Sequence, residues 1–408
     1  MSRFYSWLNL LNEGGAYGHL TQIWENTSFT FSDLKNIVKK SLAGELDMAR
    51  LKTDGQNIMF TWKNNQIRFA RNKSHLKNFG EDSLTASELS RFFAGRGSLS
   101  DAFDNAAIDL QSAVSKLSDS QRESIFKNGK KFMSCEIMYT ENENIIHYGV
   151  NELRFHGTKE FDENGNEIDD NKKDGDILAN MIKKIHQEKQ KTFHIKPLEV
   201  VNLPKTPDFN NQVKKYVSMI DKVKSRFKLN DNSTINDYVE AYFIDLLNKR
   251  NLPYNNSIID RWANGNKRYK INHMKKDFPD HFDKLKEIDS NIASYYKDCI
   301  QPIERVILQL GVDVLQNITN FMVLDPDKTK KNIKQKLDNA IKEIRSKGGP
   351  DMIDKLNKEL ERLQSIGGVD KIFPEEGITF IYKDGFYKFT GLFAPLNQLI
   401  NLTWQLKN

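Results

Sequence analysis

The sequence predicts an α+β protein, and three observations carry the prediction. Apolar residues alternate with period two through much of the first half, beginning at Ile58. Helix-period stripes fill residues 205–368. Alternation then returns in "EEGITFIYKDGFYKFTG" near the end. The order is sheet, long helical block, sheet. The closing hairpin is expected to complete the sheet that the first half begins, so the chain divides into 1–204, a helical insertion at 205–370, and a returning segment at 371–408.

Each element has its own local reason. "GGAYGHL" (14–20) is glycine-rich but matches neither GxGxxG nor GxxxxGK, and reads as a flexible turn. "FSDLKNIVKKSLAGEL" reads as a helix with Ser32 as N-cap, Leu34, Ile37, Val38 and Leu42 on its apolar side, and Gly44 near its end. Ile58, Phe60 and Trp62 alternate, "KNNQ" turns the chain, and Ile67, Phe69 and Arg71 alternate again, which predicts a hairpin. "KFMSCEIMY" and "NIIHYGVNELRFHG" follow as strand regions. "EFDENGNEID" has the look of a calcium loop, but Gly165 stands fourth from Asp162 where such a loop needs its glycine sixth. Asn164-Gly165 is therefore read as a hairpin turn. Residues 191–203, "KTFHIKPLEVVNL", are expected to form one more strand. In the helical block Ser233 is the candidate N-cap of "STINDYVEAYFIDLLNKR". Ile333, Leu337, Ile341 and Ile344 form one stripe and Ile353, Leu356, Leu360 and Leu363 another, with "GGP" between them, which predicts an antiparallel helix pair. Finally Ile378, Phe380 and Tyr382 alternate, Asp384-Gly385 turns, and Phe386 and Lys388 share a face.

Composition narrows the function. A 408-residue chain with 28% charged and 38% hydrophobic residues can bury a sizeable core, and its net charge of +6 is compatible with a polyanionic partner. Two cysteines, Cys135 and Cys299, and no CxxC argue against a disulfide framework and a thiolate zinc site, and point to a reducing cytosol. No secretory leader is read at the N-terminus. The most apolar stretch, "VILQLGVDVLQNITNFMVL", is interrupted by Gln309, Asp313 and Asn317, so no membrane span is expected. His273 and His281 lack metal-ligand spacing, and there is no GxSxG. "NGNKRYKINHMKK" (264–276) interleaves Lys267, Arg268, Lys270, Lys275 and Lys276 with Tyr269, a mixture able to follow a phosphate backbone, though a solvated face explains it as well.

The segment that points to chemistry is Lys52-Thr53-Asp54-Gly55, a lysine beside an Asp-Gly turn and just before the first hairpin. A lysine can serve as a nucleophile once burial or neighbouring positive charge favours its neutral form. The spacing resembles motif I of the covalent nucleotidyltransferases, the superfamily of ATP-dependent DNA ligases, RNA ligases and mRNA capping enzymes. Further likenesses follow in the family's order: Arg71 in "ARNK", Glu136 in "SCEIMY" (motif III), Phe155 in "LRFHG" (motif IIIa), Glu376 in "EEGITF" (motif IV) and Lys388 in "YKFTG" (motif V). The closing stretch is also similar to ligase-like proteins of large tailed phages.

The resemblance implies a ligase-type adenylation domain of twisted antiparallel sheets, here with a large helical insertion. Only twenty residues follow Lys388, so no C-terminal OB-fold is expected. It implies Lys52 as the residue that attacks the α-phosphate of ATP and Lys388 as a second catalytic cation. Asp54, Gly55, Arg71, Glu136, Phe155 and Glu376 would bind the nucleotide. Glu136 would hold the ribose, Phe155 would stack on the base with Tyr148 competing for that role, and Glu376 and Glu136 would be ligands for Mg²⁺, with Glu375 competing with Glu376. The implied activity is ATP-dependent ligation of polynucleotide ends, RNA more than DNA, in the cytoplasm, which for a phage-encoded protein is that of the host cell. Three departures stand against the pattern. Asn57 occupies a position where many ligases carry arginine, Phe389 and Thr390 follow Lys388 where a second lysine is common, and the helical block separates motif IIIa from motif IV. The large insertion and the missing OB-fold, with its motif VI, leave open a non-ligating nucleic-acid-binding or virion-associated module on the same fold, and an adenylyltransferase with another acceptor is a third reading.

Overall fold

The computed structural model describes residues 20–185, 189–383 and 385–406. The glycine-rich stretch 14–19 and Asp384, in the expected turn of the last hairpin, lie outside them. The protein is a mixed α+β structure built on two sheets. The strands are β1 (Thr21–Gln22), β2 (Asp47–Lys52), β3 (Gln56–Lys63), β4 (Gln66–Ala70), β5 (Lys131–Met138), β6 (Glu152–Phe161), β7 (Glu167–Asn171), β8 (His194–Pro197), β9 (Gly377–Tyr382) and β10 (Gly385–Phe389).

One sheet has the order β1-β10-β9-β2, and the other runs β4-β3-β5-β6-β7 with β8 also paired to β6. The closing hairpin therefore does complete a sheet begun in the first half, but not the sheet that holds the first hairpin. It pairs with β2 on one side and, in parallel, with β1 on the other. Both sheets are mixed rather than purely antiparallel, because β8 also runs parallel to β6. The short link Thr53–Gly55 passes the chain from one sheet to the other, and the KxDG residues fall on that crossing.

The first hairpin forms as its pattern predicts. Asn64 and Asn65 both take positive φ, 52° and 58°, the geometry of a tight hairpin turn that asparagine tolerates. The 191–203 strand is much shorter than expected. Pro197 has no N–H to continue the ladder, and the chain leaves β6 to touch β2, where Leu51 N–H donates to Glu199 O and Val201 N–H to Ala49 O. Residues 144–151 are not strand either, for a reason given with the site.

Of the helices, α1 (Phe31–Ala43) is capped by Thr30 rather than Ser32. Thr30 Oγ1 accepts from Asp33 N, and the Asp33 carboxylate accepts from Thr30 N in return. The helices α2 (Ala86–Phe93), α3 (Ser98–Ser115) and α4 (Asp119–Phe126), which the pattern reading missed, pack with α5 (Lys173–Ile185) on the larger sheet. The helical block holds α6 (Phe209–Ser225), α7 (Ile235–Lys249), α8 (Asn256–Asn264), α9 (Ile271–Asp277), α10 (Phe282–Ser290), α11 (Ile292–Leu315), α12 (Pro326–Lys347) and α13 (Pro350–Ser365), and α14 (Phe393–Asn401) follows the last strand. Thr234, not Ser233, caps α7, again through a box with Asp237. The stripes of α12 and α13 bury Ile333, Leu337, Ile344, Leu356 and Leu363.

Two cores result. Phe60, Phe69, Phe103, Phe126, Phe155 and Phe193 fill the one between the larger sheet and its helices. The other runs without a break from Leu51, Ile378 and Phe380 of the smaller sheet through Tyr216, Tyr238, Phe243 and Trp262 of the helical block. The block thus shares its core with the sheet that carries Lys52. No described helix is long and apolar enough to cross a membrane.

Candidate active site

Lys52 is the last residue of β2, and its cross-strand partner is Gly377, the first residue of β9. Glu376 therefore arrives beside Lys52 as a consequence of register, and its Oε2 lies 2.6 Å from Lys52 Nζ. The two side chains are only 18% and 13% exposed, so the pair is largely withdrawn from solvent. Gly377 is needed for this approach, because a Cβ there would stand 2.0 Å from Phe389 O and force β10, which carries Lys388, off its neighbour.

Gly55 serves the same purpose toward the other sheet. A Cβ at Gly55 would lie 2.7 Å from Ile137 O and 2.8 Å from Glu136 Cγ. The bare backbone instead lets Gly55 N–H donate to Glu136 Oε1 at 3.0 Å. Strand alternation aims Glu136 at the inter-sheet side, while Cys135 and Ile137 enter the helix-covered core. His156 joins it there, with Nε2 3.4 Å from Glu136 Oε2. His156 is a neighbour that sequence reading missed, although its place beside Phe155 puts it, by the period-2 rule, on the opposite face from that ring. Arg71, just past β4, donates from Nη1 to Asn57 O at 2.5 Å, and Asn57 is the cross-strand partner of Glu136.

Three expected roles are corrected. Phe155 is buried and packs its ring 5.5 Å from Phe60, inside the core and on the face away from Glu136, so it offers no platform to a base. The Asp54 carboxylate is turned to its own neighbourhood. Oδ2 accepts Ile145 N–H at 2.8 Å and Ile146 N–H at 3.0 Å, which draws residues 140–151 into a wrapped loop instead of a strand. Tyr148 is buried in that loop, and its hydroxyl accepts Asp54 N–H at 2.8 Å, so Tyr148 braces the turn and does not stack. Lys336 of α12 pins the same loop by donating to Asn144 O at 2.7 Å and Ile145 O at 2.9 Å. The competition between the two adjacent glutamates is resolved as well: Glu375 faces away from Lys52, and its Oε1 accepts Met322 N–H at 2.6 Å and Val323 N–H at 3.1 Å.

The electrostatics follow from this crowding. Burial alone would lower the pKa of Lys52, but Glu376, Glu136 and Asp54 outweigh it and raise the pKa above the ordinary lysine value. Lys388, the cross-strand partner of Gln22 and Thr379, goes the other way. Burial and the charge of Lys52 lower it, against the pull of Glu376 and Glu25. Burial would raise Glu136, yet His156, Lys52 and the Gly55 N–H hold it below the usual carboxylate range. The site therefore pairs a tightly held ammonium with a second amine displaced toward neutrality.

Asp54 and Glu375 are both pushed up to about 7, by burial first. In the unfolded chain they titrate near their ordinary values of 3.8 and 4.5. Between those values and about 7 the folded protein binds the protons more tightly than the unfolded chain does, so stability falls as pH rises through this window and levels off above it. Denaturant unfolding from pH 4 to 7 is expected to show that decline, and Glu375→Gln and Asp54→Asn each to flatten it. An unchanged slope in both variants would contradict the assignment. The carboxylates held below their usual values, such as Asp33 and Asp313, act at lower pH and do not mask it.

Mg²⁺ fits this donor set in part. Among the described residues no group of three or more His, Cys, Asp or Glu is arranged to hold a metal ion. The hard carboxylate oxygens of Glu376 and Glu136 nevertheless suit an ion that is commonly held by one or two carboxylates together with substrate phosphates. The basic segment 264–276 is less suited to base stacking than its composition suggests, because Tyr269 is buried and donates its hydroxyl to Asp277 at 2.8 Å.

Fold and site together define an α+β protein with a buried lysine–carboxylate cluster at the junction of two sheets. The sequence matches no protein-family model, and searches of curated proteins and of solved structures return no match either.

Proposed function

We propose that the protein is a covalent nucleotidyltransferase whose two sheets form a ligase-type adenylation domain, and that it ligates polynucleotide ends with ATP, RNA in preference to DNA. The observation that supports this reading best is the ion pair of Lys52 Nζ with Glu376 Oε2 at 2.6 Å, with Glu136 and Lys388 in electrostatic reach. Residues from three distant parts of the chain converge on one amine, in the order that the motif resemblance implies.

In the resting protein Lys52 is protonated, and Glu376 is the largest influence keeping it so. When that carboxylate is drawn away from the amine on substrate loading, burial and Lys388 remain, and both favour the neutral amine. Neutral Nζ then forms a P–N bond to the α-phosphorus of ATP and gives up one N–H proton to solvent, and the bond from that phosphorus to the leaving pyrophosphate breaks. The 5′-phosphate of a polynucleotide attacks the same phosphorus, the P–N bond breaks, and the Lys52 amine takes up two protons from solvent to return to the ammonium. A 3′-hydroxyl next attacks the adenylated 5′-phosphate, forming the phosphodiester and releasing AMP. Lys388 stabilises negative charge developing on the phosphate oxygens. Glu376 and Glu136 would hold Mg²⁺, which would supply neutralisation of phosphate charge. Gly55 N–H and His156 hold Glu136 in place, and the wrapped loop of Asp54 and Tyr148 fixes the turn after Lys52.

Incubation with α-labelled ATP and Mg²⁺ is expected to give an acid-labile protein adduct in wild type and none in Lys52→Ala. Addition of 5′-phosphorylated single-stranded RNA is then expected to discharge the label and seal ends faster than a nicked DNA duplex does. No adduct with any nucleotide or metal would contradict the enzyme reading and favour a binding module. An adduct that no polynucleotide discharges would favour another acceptor.

A further inference from the structure

At the end of β4, the edge strand of the larger sheet, a line of rings and cations runs outward from the candidate site. It starts at Arg71, whose guanidinium lies over the Phe103 ring, 5.8 Å from its centroid. Phe103 stacks on Phe93 at 3.9 Å. Arg96 lies over Phe93 at 5.3 Å and over Phe92 at 5.9 Å. His75 completes the line. Its ring stands nearly perpendicular to Phe92 at 5.9 Å, and its Nδ1 accepts the Arg71 backbone N–H at 3.2 Å. The inner rings, Phe93 and Phe103, are buried and serve only to hold the cations. The outer members are open. Phe92 is 41% exposed. Arg96 is exposed too, and no carboxylate pairs with it among the described residues. It sits in the link from α2 to α3, between Gly95 and Gly97 at φ 81° and 58°, and a Cβ added at either glycine would meet nothing within 4 Å. Two nearby acids are already engaged, Glu88 in the cap of α2 with Thr85 and Asp104 with the Ser90 hydroxyl. At the inner end, burial and the charge of Arg96 lower Arg71 below the ordinary arginine value, against the pull of Glu136. Arg71 therefore lies in the field of both the outer cation and the site carboxylate.

An open ring beside an unpaired cation, with a second cation further in, matches a chain of flat bases joined by phosphates. A polyanion without rings would use the cations and leave Phe92 idle. We propose that this surface binds the single-stranded end of a polynucleotide, one base lying on Phe92 and the adjoining phosphates meeting Arg96 and Arg71, so that the strand is led to the Lys52–Glu136 cluster. The inference names the surface that holds the acceptor of the proposed ligation, and it rests on that reading for what the bound strand is used for. Every base has a face to stack, so the surface grips the strand without reading its sequence.

Fluorescence anisotropy of the full chain with a short, labelled, 5′-phosphorylated single-stranded RNA, in the absence of ATP, tests it. Phe92→Ala is expected to weaken binding about fivefold or more, the loss that follows from removing one base stack, and Phe92→Tyr to bind as wild type does. Arg96→Gln is expected to weaken binding and to reduce the slope of log affinity against log salt by about 0.7, the increment for one phosphate of a single strand. Phe92→Ala is expected to leave that slope unchanged. Both positions are exposed, and circular dichroism is expected to confirm that the variants fold. Absence of RNA binding, or wild-type affinity in Phe92→Ala, would overturn the proposal. Wild-type affinity in Phe92→Ala together with weak binding by Arg96→Gln would mark a surface for anions in general, acidic peptides included. A wild-type protein that binds RNA through Phe92 and Arg96 yet takes no label from ATP at Lys52 would overturn the ligase reading alone. Label at Lys52 with unimpaired RNA binding in both variants would overturn this surface alone.

Discussion

Glu376→Ala is expected to slow formation of the protein–AMP adduct by about a hundred- to a thousand-fold at neutral pH, the cost typical of losing one preorganised charged group at a phosphate. The same substitution is expected to move the pH profile of adduct formation toward lower pH. Glu376 raises the Lys52 pKa, so its removal lets burial and Lys388 pull that pKa down, and the neutral amine appears at a lower pH. The two effects have opposite senses for reactivity, which makes the result diagnostic. A residue that merely braced the strand would slow the reaction without shifting the profile. Single-turnover labelling with ATP across pH 6 to 10 separates the cases. A slow variant with an unmoved profile would show that the 2.6 Å ion pair does not govern the amine.

Phe155→Ala is expected to cost about 3–5 kcal/mol of folding stability, the range for removing a fully buried ring from a packed core. Its ring lies against Phe60 among Leu153, Leu178 and Phe193, with 1% of its surface exposed. Phe155→Leu retains most of that volume and is expected to cost less than about 1.5 kcal/mol while leaving nucleotide affinity unchanged. Denaturant unfolding and ATP titration of the two variants make the check. A leucine variant of normal stability that binds ATP tenfold more weakly would return the ring to the pocket wall.

The Phe155 misreading shows what a one-dimensional pattern can and cannot give. The strand was visible in the alternation of "NELRFHG", but alternation alone does not say which parity faces which layer. The helices α2, α3 and α4 decide that: they cover the face that carries Phe155 and leave His156 on the other, beside Glu136. The charged positions fared better because their chemistry constrained them. Lys52 beside an Asp-Gly turn, Glu136 within an apolar strand and Glu376 before a glycine are each costly to bury alone, and the register of β2 with β9 and the close approach of Gly55 to β5 bring them together. Asp54 was legible as a turn residue, but its carboxylate satisfies two backbone N–H groups of a loop some ninety residues away, a partner no local signal specifies. Sheet membership was equally hidden. The final hairpin was plain from its alternation, whereas its pairing with β1 and β2 instead of the first hairpin depends on long-range packing over the helical block. That block reads as ordinary amphipathic helices, and nothing in its periodicity announces that Lys336 reaches the loop at Ile145 or that the Met322–Val323 backbone binds Glu375.

The central claim is that the ε-amine of Lys52 accepts a nucleotide covalently. Proteolytic mapping of wild-type protein after reaction with α-labelled ATP and Mg²⁺ tests it most directly. The account predicts one adenylated peptide, containing Lys52, with label released by acid as a phosphoramidate requires. Label on a peptide lacking Lys52, or a fully unlabelled protein, would contradict it.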